Sequence, residues 1–174
     1  MASGNTLLFF PATAGVPGDA DYATLDTLLT TSADEPDNII PVLDFDPGAT
    51  EEYTYFQAVM PSHYAGTTGV TVTLNWTSEA TSGDCIWSVA FKALTDSENV
   101  LSTAFAAPNT GTTTTDGVAR DLNQTAITFT DGADMDSVAA GDYFWIEVSR
   151  NSSAGGDTMN SNDAELHNIK IVET

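Results

Sequence analysis

An all-β antiparallel sandwich is the fold class this sequence predicts, on three observations. Short runs of β-branched and aromatic residues recur, the segments between them are rich in Gly, Pro, Asn, Asp and Ser, and apolar residues alternate with polar ones inside the best-defined runs. Many short strands separated by turn chemistry mark a sandwich or barrel. The 174 residues, 41% of them hydrophobic, suffice for one domain with a real core.

The expected strands number about eight: Leu7–Phe10, Ile39–Phe45, Tyr53–Met60, Val70–Trp76, Cys85–Leu94, Thr125–Thr130, Tyr143–Arg150 and Glu165–Val172. Breaks such as Pro47-Gly48, Ser82-Gly83-Asp84 and Asp131-Gly132 stand between them. Alternation assigns faces. Val70, Val72, Leu74 and Trp76 share one side of their strand, and Thr71, Thr73, Asn75 and Thr77 the other. Cys85, Trp87, Val89 and Phe91 form the buried set of the next. Phe144, Ile146 and Val148 oppose Tyr143, Trp145 and Glu147. The last run loses phase, so Leu166 and Ile169 share a face only across a bulge near His167-Asn168.

Prolines cut up the start of the chain, and residues 1–38 read as an irregular arm with one short strand, ahead of a single sandwich domain over 39–174. The Thr-rich stretch Thr110–Thr115 reads as a loop. Only Asp134–Ala140 reads as helical, one turn with Asp134 or Asp136 as its cap.

Charge excludes whole classes of function. Four basic residues against 25 acidic ones give a formal net charge of −21. The bases Lys92, Arg120, Arg150 and Lys170 are too few and scattered to neutralise phosphates, so neither nucleic acid nor an anionic membrane is expected as a partner. No stretch is apolar enough to span a bilayer, and Met1–Asn5 lacks the basic and apolar parts of a secretory leader. The single cysteine, Cys85, excludes an internal disulfide and fits synthesis in a reducing compartment.

Chemistry is scarce. Covalent catalysis needs a nucleophile with a base beside it. The chain has two histidines, His63 in a turn and His167 at the expected bulge, and Cys85 sits in phase with core residues. No enzyme is predicted and no cofactor is required. Two loops gather hard oxygen donors of the kind that suit Ca²⁺: Asp131, Asp134 and Asp136 in one, Asp157, Asn160, Asn162 and Asp163 in the other. Neither has EF-hand spacing, and capping of the loops by their own Asp and Asn is the simpler reading. The pair Tyr143 and Trp145, on the less buried face of its strand, suits a subunit contact, a second layer, or a platform for sugars, with the contact favoured.

Val42-Leu43-Asp44-Phe45-Asp46, Phe56–Tyr64, Gly69–Trp76, Asp134–Asp142 leading into Phe144–Arg150, and the ending through Asp163-Ala164-Glu165-Leu166 and Ile169–Glu173 together resemble small jelly-roll-like virion proteins of tailed bacteriophages. The resemblance covers roughly residues 40–174. It implies a jelly-roll sandwich with no catalytic residues, made in the host cytoplasm and carried on the virion exterior. It further implies a capsid decoration protein that binds major capsid or other virion subunits and stabilises the shell, commonly as a homotrimer. Tyr143, Trp145, Phe9 and Phe10 are then the candidate contacts. The alternative it leaves open is a tail-associated module that binds a receptor or glycan.

Overall fold

A computed structural model of the protein describes residues 4–30, 37–48, 50–159 and 161–174. Among these residues the strands are β1 (Thr6–Pro11), β2 (Val16–Pro17), β3 (Thr24–Leu29), β4 (Ile39–Phe45), β5 (Glu52–Val59), β6 (Val70–Thr77), β7 (Asp84–Leu94), β8 (Asn109–Thr114), β9 (Asn123–Phe129), β10 (Tyr143–Arg150) and β11 (Ala164–Glu173). Two antiparallel sheets pack face to face. One has the order β3-β4-β11-β6-β9, with β1 also on β11; the other is β2-β5-β10-β7-β8. From β4 on, the chain crosses between sheets at β4 to β5, β5 to β6, β6 to β7, β8 to β9, β9 to β10 and β10 to β11. This interleaving of eight strands is the jelly roll.

Alternation builds the core as expected. Val70, Val72, Leu74 and Trp76 are fully buried, as are Phe144, Ile146 and Val148 from the opposing sheet. Burying each such side chain stabilises the fold by about 1.5–3 kcal/mol. Edge-to-face aromatic pairs knit the layers: Phe45 with Trp87 at 4.9 Å between centroids, and Phe91 with Phe129 at 4.9 Å. The β11 register shifts between Leu166 and Asn168, which brings Leu166 and Ile169 to the same buried side. At this bulge β11 also changes neighbour. Its first residues pair with β4 through Leu166↔Leu43, and β1 takes over from Asn168↔Pro11.

Three elements differ from the sequence reading. The first 38 residues, expected as an arm with one short strand, contribute β1, β2 and β3, all paired to the sandwich. Pro11 sits at the end of β1 and Pro17 in the two-residue edge strand β2, where a missing N–H is tolerated. Of Thr110–Thr115, expected as a loop, Thr110–Thr114 falls on the edge strand β8, paired from Thr114↔Asp84 to Asn109↔Val89. Threonine suits a pleated strand but leaves no apolar period to read. Gly111 is needed there, since a Cβ would lie 2.8 Å from side chains of both Ile127 and Thr125 on β9. The expected helical turn is a 3₁₀ turn over Ala133–Met135 without a side-chain cap, and Asp136 follows it in a left-handed conformation.

Candidate functional site

The outer face of the β2-β5-β10-β7-β8 sheet collects partly exposed aromatic residues. Because Phe144, Ile146 and Val148 point into the core, Tyr143, Trp145, Glu147 and Ser149 point out of β10. Pairing sets Trp145 opposite Gln57 of β5 and Lys92 of β7, and Glu147 opposite Tyr55 and Ala90. Tyr53 and Tyr55 are therefore outward on β5, opposite in phase to buried Phe56. The segment after β7 folds back beside the sheet, with the Ala106 N–H donating to the Phe91 carbonyl at 2.8 Å. It carries Phe105 to within 5.9 Å of Tyr55, which in turn lies 6.3 Å from Trp145.

Polar groups hold these rings in place. The Trp145 indole N–H donates to Tyr143 Oη at 2.9 Å, and the Tyr143 hydroxyl donates to Gln57 Oε1 at 2.7 Å. Ser149 donates to Glu51 at 2.7 Å. Burial pushes the Glu147 carboxyl above its ordinary value, against the pull of the adjacent Tyr55 hydroxyl. Burial, reinforced by Glu147 at Tyr55 and by Glu51 at Tyr53, moves both phenols up to about 12. Both remain neutral hydrogen-bonding groups across the physiological range. Lys92 sits among the rings, its ammonium 4.7 Å from the Trp145 centroid and 4.8 Å from that of Phe105.

The remaining expected contacts separate. Phe9 is exposed on β1, whereas Phe10 is buried and packs on Phe56 at 5.5 Å. Phe10 is thus a core residue and not available for a contact, because consecutive strand residues face opposite ways.

The calcium candidates disperse onto separate partners. Asp131 accepts from the Tyr64 hydroxyl, Asp134 from Thr130, and Asp136 from the Ala93 N–H. Asp157 is bound by Arg150 through two hydrogen bonds of 3.0 and 3.1 Å and also accepts the Ile86 N–H. Asp163 lines a separate cavity of about 290 Å³ on the other sheet, with Asp26, Asp44, Glu79, Arg120 and Glu165. Asn160 lies outside the described residues. Among the described residues no three His, Cys, Asp or Glu side chains converge for a metal.

In that second cavity, burial and then Asp26 raise the Asp44 carboxyl to about 7, while Arg120 bridges Glu165 and Glu79 at 2.6 and 2.8 Å. Beside it, Thr77 donates to Glu165 at 2.7 Å and lies 2.9 Å from His167 Nε2. Its proton is committed to the carboxylate rather than to the imidazole, which is not how a base activates a nucleophile. Cys85 is fully buried, and burial pushes its thiol far up. His63 is exposed in a turn.

No protein-family profile matches the chain, and no curated protein sequence does. Solved structures do. The chain is similar to a β-1,3-glucan-binding module of family 6 from Bacillus halodurans, with a TM-score of 0.50, 9% identity, and coverage of 99% of this chain and 100% of that one. The two share a jelly-roll β-sandwich fold. A family 11 carbohydrate-binding module of a Clostridium thermocellum cellulosomal cellulase is similar at 0.46 and 9%, covering 99% and 97%. The enzymatically active part of a bacteriophage CBA120 tailspike protein is similar at 0.43 and 12%, covering 95% of this chain but 19% of that one.

Tyr53, Tyr55 and Phe105 were not singled out from sequence. For the tyrosines the signal existed, since Tyr53 and Tyr55 alternate with Thr54 and Phe56. Phe105 lies between strands, where no periodicity operates.

Proposed function

We propose that the protein is a glycan-binding β-sandwich that holds a polysaccharide on the outer face of the β2-β5-β10-β7-β8 sheet. One observation carries this reading: Tyr53, Tyr55, Tyr143, Trp145 and Phe105 gather on one surface, partly exposed, among fixed polar groups. Flat apolar rings beside hydrogen-bonding groups match a sugar, which has C–H faces and a hydroxyl rim. The β-1,3-glucan-binding module cited above shares the fold, which is consistent with this use but does not carry it.

The shell-cementing role implied by the phage resemblance is the weaker reading. Of its four candidate contacts Phe10 is core, Phe9 is exposed on the other sheet, and Tyr143 and Trp145 belong to the aromatic face described above. A tail-borne glycan-binding module remains compatible with the proposal.

Affinity electrophoresis in gels containing soluble polysaccharides tests it. The wild-type protein is expected to be retarded by at least one glycan, and Trp145→Ala to lose that retardation at least tenfold while melting cooperatively. Free migration of folded wild-type protein through every glycan gel would contradict the reading.

A further inference from the structure

Asp44 of β4 and Glu165 of β11 are directly paired, and both line the acidic cavity. Like charges in directly opposed positions destabilise a ladder. Glu165 is compensated twice, since its Oε1 accepts from Arg120 at 2.6 Å and its Oε2 from Thr77 at 2.7 Å. Asp44 is not. Its Oδ1 is buried without a hydrogen-bond partner, and no ion pair of the described residues includes it.

The group that Asp44 does meet is the carboxyl of Asp26 on β3, with which it is hydrogen-bonded. Thr24 pairs with Asp44 and Asp26 with Val42, so the two acids are diagonal neighbours on one face of adjacent strands. A carboxylate has no proton to donate, so two carboxyls hydrogen-bond only while one of them is protonated. The other charges around the cavity favour that proton. Glu165 comes from β11, Asp163 from the segment before it, and Glu79 from the β6–β7 connection. Against them stands Arg120 from the β8–β9 connection, already held by Glu165 and Glu79.

What this proton would hold is an edge. β3 ends its sheet, pairs along its length with β4 alone among the described residues, and is exposed at nearly every position. Such a strand opens at lower cost than the core of a sandwich. We propose that Asp26 and Asp44 share a proton that clips β3 to the sheet, and that β3 loosens when the proton leaves. Burial above all, and then Asp26, raises the Asp44 carboxyl from 3.8 to about 7. Closure of β3 is therefore supported fully below about pH 4, and that support is lost as pH rises through 7. The device lies on the sheet opposite the aromatic face and does not depend on the glycan-binding reading.

Amide hydrogen exchange on the full chain at pH 5 and pH 8, with each rate divided by its intrinsic value at that pH, tests it. Protection of residues 24–29 is expected to fall roughly tenfold between the two, while residues 70–77 and 143–150 keep theirs. Asp44→Asn retains a donor toward Asp26 without a charge, so it should leave β3 protected at both pH values. Asp26→Asn, at an exposed position, should do the same, and it carries the test if Asp44→Asn fails to fold. Carboxyl ¹³C shifts read the proton itself: Asp44 should titrate near neutrality in the wild type and lower in Asp26→Asn. Protection of β3 that does not change with pH, or a fall that persists in both variants, overturns the inference. So does an equal loss over all strands, which is global destabilisation, or an Asp44 carboxyl that titrates in the ordinary carboxylate range.

Discussion

Arg150 and Lys92 are both more than nine-tenths buried in an acidic chain, and the fold treats them in opposite ways. Arg150 reaches Asp157 twice and donates to the carbonyls of Phe45, Asn162 and Met159 at 3.2, 2.8 and 2.6 Å. Every nitrogen of its guanidinium is engaged, and the loop that follows β10 is pinned to the sandwich by it. Lys92 makes no ion pair among the described residues and rests between two rings near the surface of an aromatic face. A buried cation whose partners are all supplied by its own fold is structural. One that rests over rings on an outward face is held by packing and cation–π attraction instead.

Breaking the satisfied cation should have the largest effect. Arg150→Ala leaves Asp157 charged and unpaired in the interior, and should cost about 3–5 kcal/mol in urea unfolding. A smaller loss with retained cooperativity would mean that water replaces the guanidinium.

Removing a ring that packs on Lys92 should cost less. Phe105→Ala deletes one of the two rings over Lys92, and a loss of about 1–2 kcal/mol in the same measurement is expected. Glycan affinity should fall severalfold with it, whereas Arg150→Met, where it folds, should leave affinity per folded molecule unchanged.

The acidic cavity on the other sheet supplies a pH contrast. Asp44 has its carboxyl raised from 3.8 to about 7 by burial and by Asp26. Ionising it opposes folding, so its protonated form supports stability fully below about pH 4, and that support is lost as pH rises through 7. Asp44→Asn should therefore raise the unfolding temperature at pH 8 and do so progressively less toward pH 5. A gain on the order of 1 kcal/mol is expected, because solvent reaching this open cavity screens the repulsion. Glycan binding, on the opposite sheet, should not follow this titration.

The smallest effect belongs to the relay that sets the Trp145 ring. Tyr143→Phe removes both the acceptor for the indole and the donor to Gln57. It should cost about 0.5–1 kcal/mol and weaken binding two- to threefold, read by calorimetry.

How much of this was legible in the sequence follows from where periodicity operates. Strands with one wet face announced themselves, as in Val70–Trp76 and Phe144–Val148, and so did the bulge at His167. β8 did not, since a Thr-Gly-Thr edge strand carries no apolar alternation, and β3 did not, since nearly all of Thr24–Leu29 is exposed. The outward position of Trp145 was readable from parity alone. Its company was not: Tyr55 arrives by pairing with Glu147, and Phe105 by the return of an irregular segment. Nor could sequence distinguish Arg150 from Lys92, because being satisfied depends on Asp157 and on carbonyls from three separate places.

Amide chemical-shift mapping on ¹⁵N-labelled protein, titrated with a soluble neutral glycan that retards it in gels, addresses the central claim most directly. Binding at the aromatic face predicts shifts concentrated at residues 53–57, 90–94, 104–106 and 143–147, with the β1-β11-β6 face silent. Shifts centred on Asp26, Asp44 and Glu165 instead would place the ligand in the acidic cavity and contradict the account.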